Sequence, residues 1–286
     1  MKRLKRITWM LAALAMLALA GPAWGGWNDG LATDPNCVAV WNFENGALTT
    51  DSKGTNTLTA VYSPVADTVN FQQGAASCDF EQTDKDYFKI TDASLSTGFP
   101  GKSGGHVEDF TVCFWMKGES FYVGGANYTI SKGVTGDTGG YIIRPMWNTG
   151  RISIDLWSAT DGAHLYSTFS TLALSVGTWY HVQVRYDASE NVSARGIVRV
   201  YDSGTDTSTK TVGSAGIIVN TSLFTIGTRS DPLENTSYQY DGLLDEVAVF
   251  NDLLTDDECD QVRAGTYGQG VGSLRRAWWW RRRHEG

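Results

Sequence analysis

Asp245 and Glu246 are the first residues that chemistry singles out, because a pair of carboxylates can divide the acid and nucleophile roles of glycoside cleavage. Neighbouring residues on a strand point to opposite sides, however, so this pair is not expected to flank one glycosidic bond. The sequence holds no E-x-D-x-x-E triplet, which would set an acid and a nucleophile on one strand face. H-E-x-x-H and P-loop patterns are missing too. Among four histidines, His181 sits inside an otherwise apolar stretch and reads as a hydrogen-bonded structural group rather than a general base. Catalysis would need residues from distant segments to converge, and a non-catalytic chain is the expectation.

Ligand binding by aromatic platforms is better supplied. Sugars present C–H faces to aromatic rings and hydroxyls to polar neighbours. Along Arg151–Ser158, Ile152, Ile154 and Leu156 share one face, while Asp155 and Trp157 share the other. Arg144, Trp147 and Tyr166 lie on adjoining segments and complete a candidate ligand set, although Arg144 and Trp147 have opposite parity. Tyr122 and Tyr238, on loops, are equally open candidates. The competing explanation for any one of these rings is a place in the core.

The elements that must position such groups are short. Strand-like runs at 38–43, 110–117, 128–132, 141–147, 151–158, 164–169, 179–186, 197–201, 223–227 and 243–250 are separated by Gly, Asn, Asp and Ser, the pattern of a sandwich or jelly roll. One helix is expected near the end, where Thr255-Asp256-Asp257-Glu258 has the capping-box form ahead of Cys259–Ala264. The chain has 286 residues, 42% hydrophobic, 12% aromatic and 19% charged, with 23 bases against 31 acids. Nine of those bases lie in the first six and last twelve residues, leaving a body of about −16 that would repel phosphate backbones. Nucleic acid is therefore not an expected partner of the central domain.

Residues 1–25 read as a signal peptide, with basic Met1–Arg6, apolar Ile7–Ala20, and small residues before Gly26. No later stretch is long and apolar enough to span a bilayer, so a secreted or cell-surface protein is expected. Residues 26–36 are read as a linker, 37–268 as one β domain, and 269–286 as a flexible tail holding Arg275, Arg276, Trp278–Trp280 and Arg281–Arg283. Arg with clustered Trp suits an anionic surface, and a solvated terminus is the plainer alternative. Export favours disulfides among Cys37, Cys78, Cys113 and Cys259, which show no C-x-x-C pair and allow three connectivities. Sequons begin at Asn127, Asn191, Asn220 and Asn235.

Five signatures then carry a family resemblance: Trp41-Asn42-Phe43-Glu44 with Asp51-Ser52-Lys53-Gly54; Asp109-Phe110-Thr111-Val112 leading to Trp115; Gly177-Thr178-Trp179-Tyr180-His181-Val182 with Tyr186-Asp187; Tyr240-Asp241-Gly242-Leu243-Leu244-Asp245-Glu246-Val247; and Leu254–Glu258. In this order they resemble the laminin-G-like, concanavalin A-like lectin/glucanase jelly rolls. Tyr201-Asp202-Ser203-Gly204 departs from the family's "Y-V-D-G" and is expected to alter a hairpin turn. The resemblance implies an all-β, concanavalin A-like jelly-roll sandwich of two antiparallel sheets with one short C-terminal helix, first and last strands adjacent. It implies Cys37 pairing with Cys259 and Cys78 with Cys113. It also implies that Glu44, Asp51, Asp241 and Asp245 gather at one edge as a candidate calcium site, against the alternative that Asp51 forms an Asx-turn and Asp245 serves a hydrogen-bond network. The functional expectation is a module binding a glycan or glycoprotein, with calcium as candidate cofactor. A surface or particle assembly protein and a glycan-cleaving enzyme are the alternatives.

Overall fold

Alternating apolar residues must be buried on one strand face, and two sheets placed face to face do this for every strand at once. In the computed structural model, residues 29–268 are described apart from 106–108, 122–126, 134–138, 147–148, 160–162, 191–192, 214–217 and 231–235. The signal-peptide segment, the tail, Trp147 and Tyr122 lie outside the described residues.

The first sheet contains β1 (Cys37–Trp41), β3 (Val65–Asp67), β4 (Ser77–Phe80), β6 (Phe110–Gly118), β11 (Tyr180–Glu190), β12 (Ser193–Asp202), β13 (Thr205–Gly213) and β15 (Gly242–Phe250). Its order is β13-β12-β11-β6-β15-β4-β3, with β1 also paired to β15. The second runs β10-β9-β8-β7-β14-β5-β2, from β2 (Thr59–Val61), β5 (Tyr87–Ile90), β7 (Ile130–Lys132), β8 (Tyr141–Pro145), β9 (Arg151–Trp157), β10 (His164–Ala173) and β14 (Phe224–Ile226). Every pairing is antiparallel. The chain is thus an all-β jelly-roll sandwich, and its first and last strands are neighbours, with Trp41 opposite Val247.

Aromatic pairs join the two layers. Trp41 stacks on Phe224 at 5.5 Å and Phe110 meets Tyr141 at 4.8 Å, each pair taking one ring from each sheet. Fully burying such a ring contributes about 1.5–3 kcal/mol, so this seam orients the sheets. Strands β2 to β5 and β13 escaped the sequence reading because they are short or polar; in β13 buried residues are lacking altogether. The Tyr201–Gly204 departure is absorbed simply: Asp202 pairs with Thr205, and Ser203 and Gly204, both at positive φ, make a two-residue turn.

Two helices cover the outside of the first sheet. Segment 26–36, expected as a linker, contains α1 (Asp29–Thr33), whose Leu31 is buried with Tyr267. The expected capping box opens α2 (Asp256–Arg263): Thr255 Oγ1 accepts from Glu258 N at 3.2 Å, and Thr255 N donates to the Glu258 carboxylate at 2.9 Å. Cys259 and Val262 of α2 pack on Val40, Cys113, Ala248 and Phe250. Arg185 caps Leu254 O at 2.9 Å and pairs with Asp256, while Arg263 lies 3.6 Å over the Tyr201 ring.

All four cysteines are free and buried. The expected Cys78–Cys113 bridge is corrected by parity: Cys78 points into the core between the sheets, whereas Cys113 lies in the outer cluster beneath α2. Cys37 and Cys259 share that outer cluster, but Cys113 is the thiol that Cys259 contacts. Two sequon asparagines are already engaged, Asn127 donating to Ser120 O at 3.1 Å and Asn220 to Lys132 O at 3.1 Å.

Candidate functional site

The outer face of the second sheet gathers most of the expected ligand residues that are described. Ile154 and Leu156 enter the core, so Ser153, Asp155 and Trp157 face outward as their alternation requires. Asp155 is a hub. Its Oδ2 lies 3.4 Å from Arg144 Nη2 and 3.5 Å from Ser153 Oγ, and its Oδ1 accepts from Ser167. His164 Nε2 approaches Ser167 Oγ at 3.1 Å and Asp155 at 3.7 Å. The imidazole is 47% exposed and its ring sits 5.2 Å from that of Trp157.

Trp157 is itself 6% exposed, packed against Tyr128 and Ile142, with Tyr238 alongside. Arg144 donates to the Tyr128 hydroxyl at 3.4 Å and lies 5.1 Å from its ring centre. Arg229, just past β14, lies 3.7 Å over Tyr238 and 5.9 Å from Tyr128. Arg144, Asp155 and Trp157 are therefore brought together. Tyr166 is opposite Leu156 by register, and its side chain lies outside the described residues. His164, Ser167, Tyr128 and Arg229 were not singled out from sequence. A bulge between His164 and Tyr166 shifts the parity of β10, and Arg229 arrives from a strand distant in sequence.

The expected metal set separates into three places. Asp51 accepts backbone N–H bonds from Val40, Lys53, Thr55 and Asn56 at 2.8–3.1 Å, which makes it the turn-forming hub of the plainer alternative. Asp241 lies at the far end of β15, accepting from Gln82 N at 3.2 Å and from Ser120. It borders Asp79, Glu81 and Glu119, whose carboxylate oxygens lie within 4.8 Å of one another. Burial first, then Glu119 and Glu81, raise Asp79 to about 6.

Glu44 and Asp245 do come together, joined by Glu246. Here the register slips between Asp245 and Ala248, and Glu246 takes φ 54°. This bulge overturns the expectation that the two acids point apart. Each carboxylate feels the other, and Glu44 acts on both. Asp245 Oδ2 accepts from the backbone of Gln72 at 2.7 Å and Gln73 at 3.1 Å, while its Oδ1 is buried without a hydrogen-bond partner. Asn42 Nδ2 donates to Glu246 at 2.5 Å, and Ala75 N donates to Glu44 at 3.1 Å. Burial raises Asp245 to about 7, and burial followed by Asp245 raises Glu246 well above the carboxylate range. The orphaned oxygen of Asp245 is the feature here that suits a hard cation; Glu44 and Glu246 act on it through charge, and the three carboxylates do not converge within 4.8 Å as Asp79, Glu81 and Glu119 do.

His181 has the structural role expected. It is fully buried, its Nδ1 lies 3.1 Å from Gln183 Nε2, and burial with nearby Arg263 and Arg199 pushes its pKa well below the usual value.

Solved structures with the same fold include the botulinum neurotoxin serotype D binding domain, at TM-score 0.57 and 14% identity over 83% of this chain and 53% of that one. The botulinum neurotoxin DC binding domain matches in its complex with rat synaptotagmin II (TM-score 0.55, 11% identity, 82% and 52% covered) and in its complex with SialylT (TM-score 0.53, 12% identity, 82% and 52% covered). The chain thus spans about half the length of these solved chains. No curated protein matches the sequence. Among the described residues no helix is long and apolar enough to cross a membrane. Residues 82–259 match the family described as the concanavalin A-like lectin/glucanases superfamily, and the chain belongs to that superfamily.

Proposed function

We propose that the chain is an exported, non-catalytic recognition module that binds a glycan or glycoprotein on the outer face of the second sheet. The observation that carries this reading is the exposed His164 with the partly exposed Arg144 and Tyr238, held in place by the buried Trp157, Tyr128 and Asp155 beside them: a ring and donors open to a sugar on a fixed support. Helices α1 and α2 pack on part of the outer face of the first sheet, and the described residues place no α-helix on the second. The neurotoxin domains of the same fold, solved in complex with rat synaptotagmin II and with SialylT, support the reading by analogy of fold alone.

Ser167, His164 and Asp155 do not suggest a nucleophile. The Ser167 hydroxyl donates to Asp155 itself, so its proton is directed to the carboxylate rather than to the His164 ring 3.1 Å away, unlike a serine whose proton is handed to an imidazole. Calcium is proposed as a structural cofactor at Asp245, Glu246 and Glu44, where it would neutralise buried charge and leave the ligand face to the second sheet.

A glycan-array screen of the whole chain, beside the His164→Ala variant, tests the proposal. His164 is exposed, so its truncation should leave melting within about 1 °C while lowering binding about tenfold. An array without hits, from protein that is folded and forms concentration-dependent oligomers, overturns it in favour of assembly.

A further inference from the structure

Arg229 lacks what four arginines that are packed into the fold have. Arg144, Arg185, Arg199 and Arg263 each pair with a carboxylate. Arg229 pairs with none among the described residues, and its Nε is buried without a hydrogen-bond partner. It is held instead against two tyrosine rings, 3.7 Å from the centre of Tyr238 and 5.9 Å from that of Tyr128. Arg144 approaches the same Tyr128 ring from its own side, its Nε likewise buried and unpartnered.

The position is fixed by the sheet. Tyr128 precedes β7 and Arg229 follows β14, and these strands pair through Ile130 and Ile226. Gly227 N donates to Thr129 O at 2.9 Å, and Tyr128 N donates to Tyr238 O at 3.2 Å, so the two tyrosines and Arg229 share one backbone frame. A guanidinium stacked on aromatic rings loses little further freedom when it makes hydrogen bonds, and its fork matches the paired oxygens of a carboxylate or sulfate. Asp155 offsets the charge of Arg144 alone, which among the described residues leaves one net positive charge on this patch of a strongly acidic body.

We propose that Arg229, with Arg144 beside it, forms an anion subsite that selects acidic sugars, meaning oligosaccharides bearing a carboxylate or a sulfate ester. This rests on the glycan reading of the same face and adds the class of sugar. The anion takes the open donors of Arg229, and the sugar ring that carries it continues toward Trp157 and His164.

The test is an array in which each uronic-acid or sulfated oligosaccharide is printed beside its uncharged parent, probed with the whole chain and with Arg229→Met. Methionine keeps an apolar stem over the two rings and removes the charge. Acidic glycans are expected to bind at least tenfold better than their parents, with that preference falling below twofold in R229M while binding to parents is retained. Carboxylated and sulfated spots separate the two sources of the anion. Equal binding of acidic and neutral members, or an acid preference unchanged in R229M, overturns the subsite and leaves the glycan reading standing. An array blank for both overturns both.

Discussion

Asp245→Asn is the perturbation that reads the acidic bulge most directly. Asp245 is fully buried, one oxygen has no partner, and its pKa rests at about 7 rather than 3.8. Without a cation, the unfolded chain releases this proton near pH 4 while the folded chain holds it to about 7, so stability falls as pH rises across that window. About three pH units correspond to about 4 kcal/mol as an upper limit. Relief of Asp245 also eases Glu246, whose ionisation then claims part of the gain, so about 2–4 kcal/mol is the realistic range. Asparagine fits the same space, and its carbonyl can still accept from Gln72 and Gln73. In chelator at pH 8, D245N should therefore melt about 5–10 °C above wild type. In calcium the gap should shrink by the cation's contribution to wild type. A cation present at about 100 times its Kd adds about 2.7 kcal/mol to wild type, and this increment should vanish in the variant. Thermal melts of both proteins in chelator and in calcium, at pH 5 and pH 8, give all eight values. A variant less stable than wild type in chelator at pH 8 refutes the burial argument, and an undiminished calcium shift in D245N refutes the metal site.

Two further predictions concern the first sheet. His181 is held neutral well below its usual pKa, so the unfolded chain takes up a proton below about pH 6.5 that the folded chain refuses, and stability drops as pH falls. The loss is up to about 1.4 kcal/mol per pH unit, and the difference between wild type and His181→Gln in denaturant titrations at pH 7.5 and pH 5 should change by about 1–2 kcal/mol; a constant difference contradicts the assignment. Gly242, at φ 132°, has no room for a side chain: a Cβ there would lie 2.3 Å from Lys117 O. Gly242→Ala should cost about 3 kcal/mol or more, measured by the same titrations, and an unchanged midpoint would show that the β6–β15 register can shift.

The contrast between what was legible and what was not follows chain distance and backbone sign. Ile152-Ser153-Ile154-Asp155-Leu156-Trp157 announced its two faces by simple alternation, and the structure keeps them. Thr255 and Glu258 announced their reciprocal bonds, which need only four consecutive residues. Glu246 could not be read that way, because alternation assumes an unbroken ladder and the positive φ that inserts an extra residue is invisible in a non-glycine letter. Its error propagated: two acids assigned to opposite faces are in fact mutually repelling neighbours, while Asp51 and Asp241, plausible partners by motif, are occupied elsewhere. Arg229 shows the other limit. Nothing local distinguishes it from an ordinary surface cation; its meaning lies in what it lacks, a carboxylate, and in two rings brought to it by segments some ten and one hundred residues away. A binding surface assembled from strand ends is specified by pairing register, so its residues become recognisable only when β7, β8, β9 and β14 have been laid side by side.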